Sequence, residues 1–163
     1  MSKIINHKTG ETIIEDENLN IKELVEKAVK KEISLEDADL DGADLSGADL
    51  RYADLERASL YDAYLRNADL RGADLEDADL RGADLEDADL RDADLEDADL
   101  RDVNLIFANL AVAKLIGVDL RGVNLDGVNL CGADLFTAKI NQDQLTDLIE
   151  AQGLEIINKK END

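Results

Sequence analysis

The chain has no proline and no tryptophan, one cysteine, one histidine, and aromatic residues at only 3% of its 163 positions. Each shortage excludes something. A single cysteine rules out an intramolecular disulfide. Scarce aromatics remove the bulky side chains on which a globular core ordinarily draws. No apolar run approaches the roughly 20 residues that a bilayer-spanning helix needs. Basic residues are in deficit, 18 against 40 acidic, for a net charge of −22. That balance excludes direct nucleic-acid binding through a basic footprint. The opening stretch MSKIINHKTGETIIEDEN lacks the apolar segment and cleavage site of a signal peptide, so a cytoplasmic location is expected. High charge with few aromatics usually means disorder. Here that reading fails, because 44% of the residues are apolar and they lie on a strict lattice.

The lattice has a period of five. From Leu35 to Leu135 every fifth residue is leucine, 21 in succession, and Ile140 continues the series. Two residues before each leucine stands alanine, or valine at 103, 118, 123 and 128, or isoleucine at 33. An α-helix advances about 500° in five residues, so its leucines would spiral around the axis. In one long strand an odd spacing would send successive leucines to opposite faces. Within a unit, however, Ala73 and Leu75 share a face and Asp74 points away, and Glu76 and Asp77 suit a turn. The chain must run briefly extended, turn a corner, and repeat. Corners of one hand close into coils, and stacked coils bury every alanine and leucine.

This unit resembles the A-(D/N)-L-x-x repeat of the pentapeptide-repeat family across residues 33–142. The resemblance implies an all-β solenoid, a right-handed quadrilateral β-helix with four units per coil. On that basis the chain forms about 5.5 coils and a rod roughly 25 Å long at strand-like spacing. The ends of a solenoid expose backbone and apolar interior and need caps. KIINHKTGETII predicts a β-hairpin. LNIKELVEKAVKKE predicts a helix, with Asn20 and Glu23 as a capping box and Leu19 and Leu24 as a staple. Asn141 and Gln144 repeat the capping signal, which predicts a second helix near 142–152 with Gly153 beyond it. LEII at 154–157 reads as a short strand or extended tail. The expected layout is a cap over 1–32, a β-helix over 33–141, and a cap and tail over 142–163, in one domain overall.

Four units per coil would sort the exterior into columns of residues 20 apart. Glu56, Glu76 and Glu96 fall in one column, and Arg51, Arg71 and Arg91 in another. Asp49, Asp69 and Asp89 stack, as do Asp54, Asp74 and Asp94, with arginines of adjacent columns and salt offsetting part of their repulsion. These six aspartates and three glutamates form a candidate acidic surface. The regularity stops at VNLIFANLAVAKLIGV, where outward positions turn apolar. Ile106, Phe107, Val112, Ile116 and Phe136 form a candidate interface, covered by the chain's own C-terminal end, by a second copy in a homodimer through the C-terminal half, or by a foreign protein.

Candidates for chemistry are few. His7 sits beside a predicted turn, and Cys131 has no histidine near it to activate a thiol. The carboxylates are many but equivalent, with no pair set apart to act as acid and base. There is no phosphate loop and no zinc-type spacing. Diffuse cation binding is expected rather than a defined metal site. The expected role is therefore a non-enzymatic acidic scaffold for protein interaction or self-association, without cofactor. The alternative comes from the resemblance: some family members mimic B-DNA and bind DNA gyrase. The irregular 103–118 stretch argues for a natural bacterial or phage protein over a consensus design.

Overall fold

The computed structural model describes residues 2–144. Two strands open it, β1 (Ser2–Ile5) and β2 (Thr12–Asp16), paired antiparallel with Ile4 opposite Ile14 and a register shift between Ile4 and Ile5. A turn through Gly10 joins them. Helix α1 (Ile21–Lys30) follows. Its capping box is reciprocal: the Glu23 N–H donates to the Asn20 side chain and the Asn20 N–H to the Glu23 carboxylate, each at 2.9 Å. Leu24, Val25 and Ala28 are buried and belong to the same apolar cluster as the repeat leucines.

From Leu35 onward the chain is built of single-residue rungs. Parallel bridges link residues 20 apart, as in Asp49 with Asp69 and Asp69 with Asp89. The 20-residue period means four units per turn of the coil. At each corner the N–H two residues before the next leucine returns to the preceding leucine carbonyl, as in Ala78 to Leu75 at 3.1 Å. The second residue after each leucine takes a positive φ. Asp, Asn and Gly tolerate that conformation best, which explains their recurrence there. Leucine and alanine alternate inward along the repeats, and among the described residues no polar side chain is buried with them.

The N-terminal elements pair backbone groups of the first coil that have no coil beneath them. The Asp39 N–H donates to Ile5 O at 2.8 Å and the Asp49 N–H to the Glu26 carboxylate at 3.1 Å. Lys22 Nζ donates to Ser46 O, and His7 Nε2 lies 3.1 Å from Arg57 O. At the other end the Asn141 N–H donates to the Gln144 side-chain oxygen, whose amide in turn donates to the carbonyls of Leu120 and Val123. The rest of the helix expected near 142–152, and the LEII segment, lie outside the described residues.

Candidate functional site

The exterior follows from the interior. In D-L-x the aspartate and the residue after leucine both point outward, two apart on one face. When that residue is arginine, the guanidinium grips the aspartate of its own unit. Arg71 donates to Asp69 through Nε at 2.7 Å and through a terminal nitrogen at 2.6 Å. Arg51 with Asp49, Arg81 with Asp79, Arg91 with Asp89, Arg101 with Asp99 and Arg121 with Asp119 repeat this fork. The arginines that offset the aspartate stacks stand in the adjacent column, as expected. The main partner lies within the unit, and the next coil's aspartate is a longer contact, as in Arg71 to Asp89 at 3.7 Å. The arginine hydrogen bonds hold these aspartates below the usual carboxylate range.

The candidate acidic surface accordingly divides. Asp49, Asp69 and Asp89 lie on a corner where arginine neutralises each of them. Asp54, Asp74 and Asp94, with Glu56, Glu76 and Glu96, lie on the next corner, which has no arginine after its leucines. Arg57 pairs with Glu56 and Glu36, and Lys114 reaches Asp94 at 2.5 Å. Asp54, Asp74, Glu76, Asp77, Glu96 and Asp97 make no ion pair within 4 Å among the described residues. Glu76 records the result: partial burial, then the neighbouring Glu96, Asp74, Asp94 and Asp77, push its carboxyl up.

These opposite shifts set a pH profile. The depressed aspartates contribute stability present above their ordinary value, about 4, and lost as pH falls through their folded values. Glu76 acts in reverse, contributing below its ordinary value and losing that contribution as pH rises through its raised one. The melting temperature should therefore rise as pH drops from neutrality through the raised Glu76 value toward its ordinary one, and fall again below about 4. Glu76→Gln should flatten the upper limb. Scanning fluorimetry at constant ionic strength checks this, and a steady decline from neutral pH in the wild type would refute it.

The apolar candidates are spread around the rod. Ile106 and Phe107 occupy one corner, Val112 the next, and Ile116 the third, with Phe136 one coil above Ile116. Phe107, Val112 and Phe136 are 61%, 57% and 71% exposed, and Ile106 and Ile116 are half-buried. With four corners to a coil, Phe107 and Phe136 stand on opposite sides. The Phe107 ring leans over Gly127, one coil on, as Tyr52 leans over Gly72. The structure also shows an open groove of about 350 Å³ between the end of α1 and Tyr52, lined by Val29, Lys30, Ile33 and Arg51. Cys131 is exposed. Among the described residues no cluster of three or more metal-ligating side chains occurs, and no helix is long and apolar enough to cross a membrane.

A family profile described as pentapeptide repeats, in eight copies, matches residues 31–67, 58–97 and 98–135, well over half of the chain. The chain belongs to the pentapeptide-repeat family. Solved members of the family share its fold. A pentapeptide-repeat protein, Rfr23, of the cyanobacterium Cyanothece 51142 is 39% identical, with a TM-score of 0.52. The match covers 54% of this chain and 60% of that one, so it spans less than two thirds of that protein's length. A pentapeptide-repeat protein of the Arabidopsis thaliana thylakoid lumen is 40% identical over 69% of this chain and 74% of its own, with a TM-score of 0.50. The fluoroquinolone resistance protein QnrB1 matches at 20% identity and a TM-score of 0.27 over 71% of either chain, too distant for its role to transfer. A comparison with curated proteins found no match.

Proposed function

We propose that this pentapeptide-repeat protein is a non-enzymatic scaffold of about 5.5 coils. The hairpin and α1 cap one end, and Gln144, bonded to the carbonyls of Leu120 and Val123, closes on the other. It presents an acidic edge to a cationic surface of a protein partner. The observation that carries this reading is the unequal neutralisation of the corners. Arginine closes the charge on the Asp49–Asp69–Asp89 corner and leaves it open along Asp54, Asp74, Glu76, Asp77, Glu96 and Asp97. Open charge of one sign on a rigid rod steers a cationic partner and fixes its orientation.

The same edge supports a second reading, mimicry of the DNA backbone toward gyrase, since its carboxylates repeat at coil spacing. A supercoiling assay with titrated protein, with and without a quinolone, separates the two. Mimicry requires an effect at micromolar protein that is lost when Glu76→Lys and Glu96→Lys are combined. No effect at tens of micromolar leaves the general scaffold. Self-association through the adjoining corners that carry Ile106, Phe107 and Val112 is a further part of the proposal, with Ile116 and Phe136 lying beyond that face. Light scattering coupled to chromatography should give a dimer for the wild type and a monomer for Phe107→Asp, and a monomer in both removes the dimer.

A further inference from the structure

Between its two ends, the hydrogen-bond ladder of the described residues is interrupted in one place. From Leu35 to Asp99 every leucine N–H, and every N–H two residues after a leucine, reaches the next coil, and from Ser59 every N–H before a leucine reaches the coil below. Between 98–102 and 119–121 three such bonds are missing, Leu100 to Asp119, Asp102 to Arg121 and Asp119 to Ala98, while the next rung, Asn104 with Asn124, is present. The rung between Asp99 and Asp119 is absent, whereas those on either side in its column, Asp79 with Asp99 and Asp119 with Lys139, are present. Arginine contacts agree. Arg51 reaches Asp69 at 3.6 Å and Arg81 reaches Asp99 at 3.7 Å, but Arg101 makes no such contact with Asp119.

The gap opens on one side only. Across the same two coils, Phe107 to Asp126, Leu110 to Asn129, Val112 to Cys131 and Leu115 to Asp134 remain at 2.8–3.0 Å. The cause lies in the core. The column that is alanine at 43, 63 and 83 becomes Val103 stacked on Val123, and Val118 sits above Ala98. Two extra methyl groups in a slot shaped for alanine push the backbone outward. Two of the four valine corners are lengthened: Val103 to Leu100 is 3.3 Å and Val118 to Leu115 is 3.4 Å, against 2.9–3.1 Å at the other corners, those of Val123 and Val128 included.

We infer that this seam is a hinge, at which the last coil, from Val118 on, opens as a unit about its intact side while the coils below stay closed. Local opening of this kind appears in hydrogen exchange as a contiguous group of amides that exchange well below the global unfolding free energy. Exchange measured by NMR on the full chain should therefore show the amides of Leu100, Asp102 and Asp119 exchanging at least about tenfold faster than those of Leu80, Leu85 and Leu90. The combined variant Val103→Ala, Val118→Ala and Val123→Ala should bring them to within about twofold of the lower coils. Equal exchange in the wild type overturns the hinge. So does fast exchange that persists in the folded triple variant, because the valines would then not be its cause. If the triple variant fails to fold, Ala83→Val extends the valine stack downward and should speed exchange at Leu85 and Asn104. Unchanged rates there would equally overturn it.

Discussion

Leu75→Ala should lower the unfolding free energy by about 2–5 kcal/mol, toward the upper end of that range. Leu75 is fully buried at mid-rod, with Leu55 and Leu95 as its column neighbours. The cost of a large-to-small change depends on how far the surroundings collapse into the cavity. Here they are held. The Leu75 N–H is bonded to Asp94 O at 2.7 Å and the Asp74 N–H to Ala53 O at 2.9 Å, so the coils above and below are pinned at the point where relaxation would have to begin. Leu135→Ala provides the comparison, because Leu135 is only partly buried against the core and has less transfer free energy to lose. Guanidinium unfolding followed by circular dichroism measures both. A Leu75→Ala loss below about 1 kcal/mol would mean that the coils close over the gap, contrary to a rod held by its rungs.

The second large effect lies on the surface. Gly72→Ala should cost more than Gly122→Ala, although both glycines have positive φ, +65° and +82°. Each substitution incurs the left-handed penalty of an L-residue, about 1–2 kcal/mol. At Gly122 nothing lies within 4 Å of an added Cβ, whereas at Gly72 the Cβ would stand 2.6 Å from Cε1 of Tyr52. The ring, 80% exposed, would have to lift off the coil it covers. Tyr52→Ala in combination should therefore reduce the Gly72→Ala cost to that of Gly122→Ala. Thermal unfolding of the four variants closes this double-mutant cycle, and strict additivity would show that the ring gives way freely.

Much of this was legible in the residues. The alanine and leucine lattice dictated a coil with an apolar interior, because no straight element buries a period of five. The Arg71–Asp69 fork was legible too, since D-L-R places both charges on one face of an extended unit. The Gly72–Tyr52 and Gly127–Phe107 pairs could be read only once the coil length was known, because nothing local relates residues 20 apart. Val103, Val118 and Val123 look equivalent to alanine in a repeat pattern. Their effect depends on the width of a slot that neighbouring coils define, so the broken ladder belongs to tertiary packing. Phe107 and Phe136 illustrate a different limit: both fall in the apolar stretch of the pattern, yet the corners between them carry the chain to the far side of the rod.

Four units to a coil have an evolutionary consequence. Inserting or deleting one unit, say after Leu80, keeps every leucine and alanine inward and leaves the turn chemistry unchanged. It rotates everything downstream by a quarter turn relative to everything upstream. The acidic edge would then be continued by an arginine column, and a new edge assembled from residues that never shared one. A slipped copy of fifteen nucleotides can thus redraw the whole surface in one step while the interior registers almost nothing, which gives this architecture a way to change partners without first solving its folding problem again.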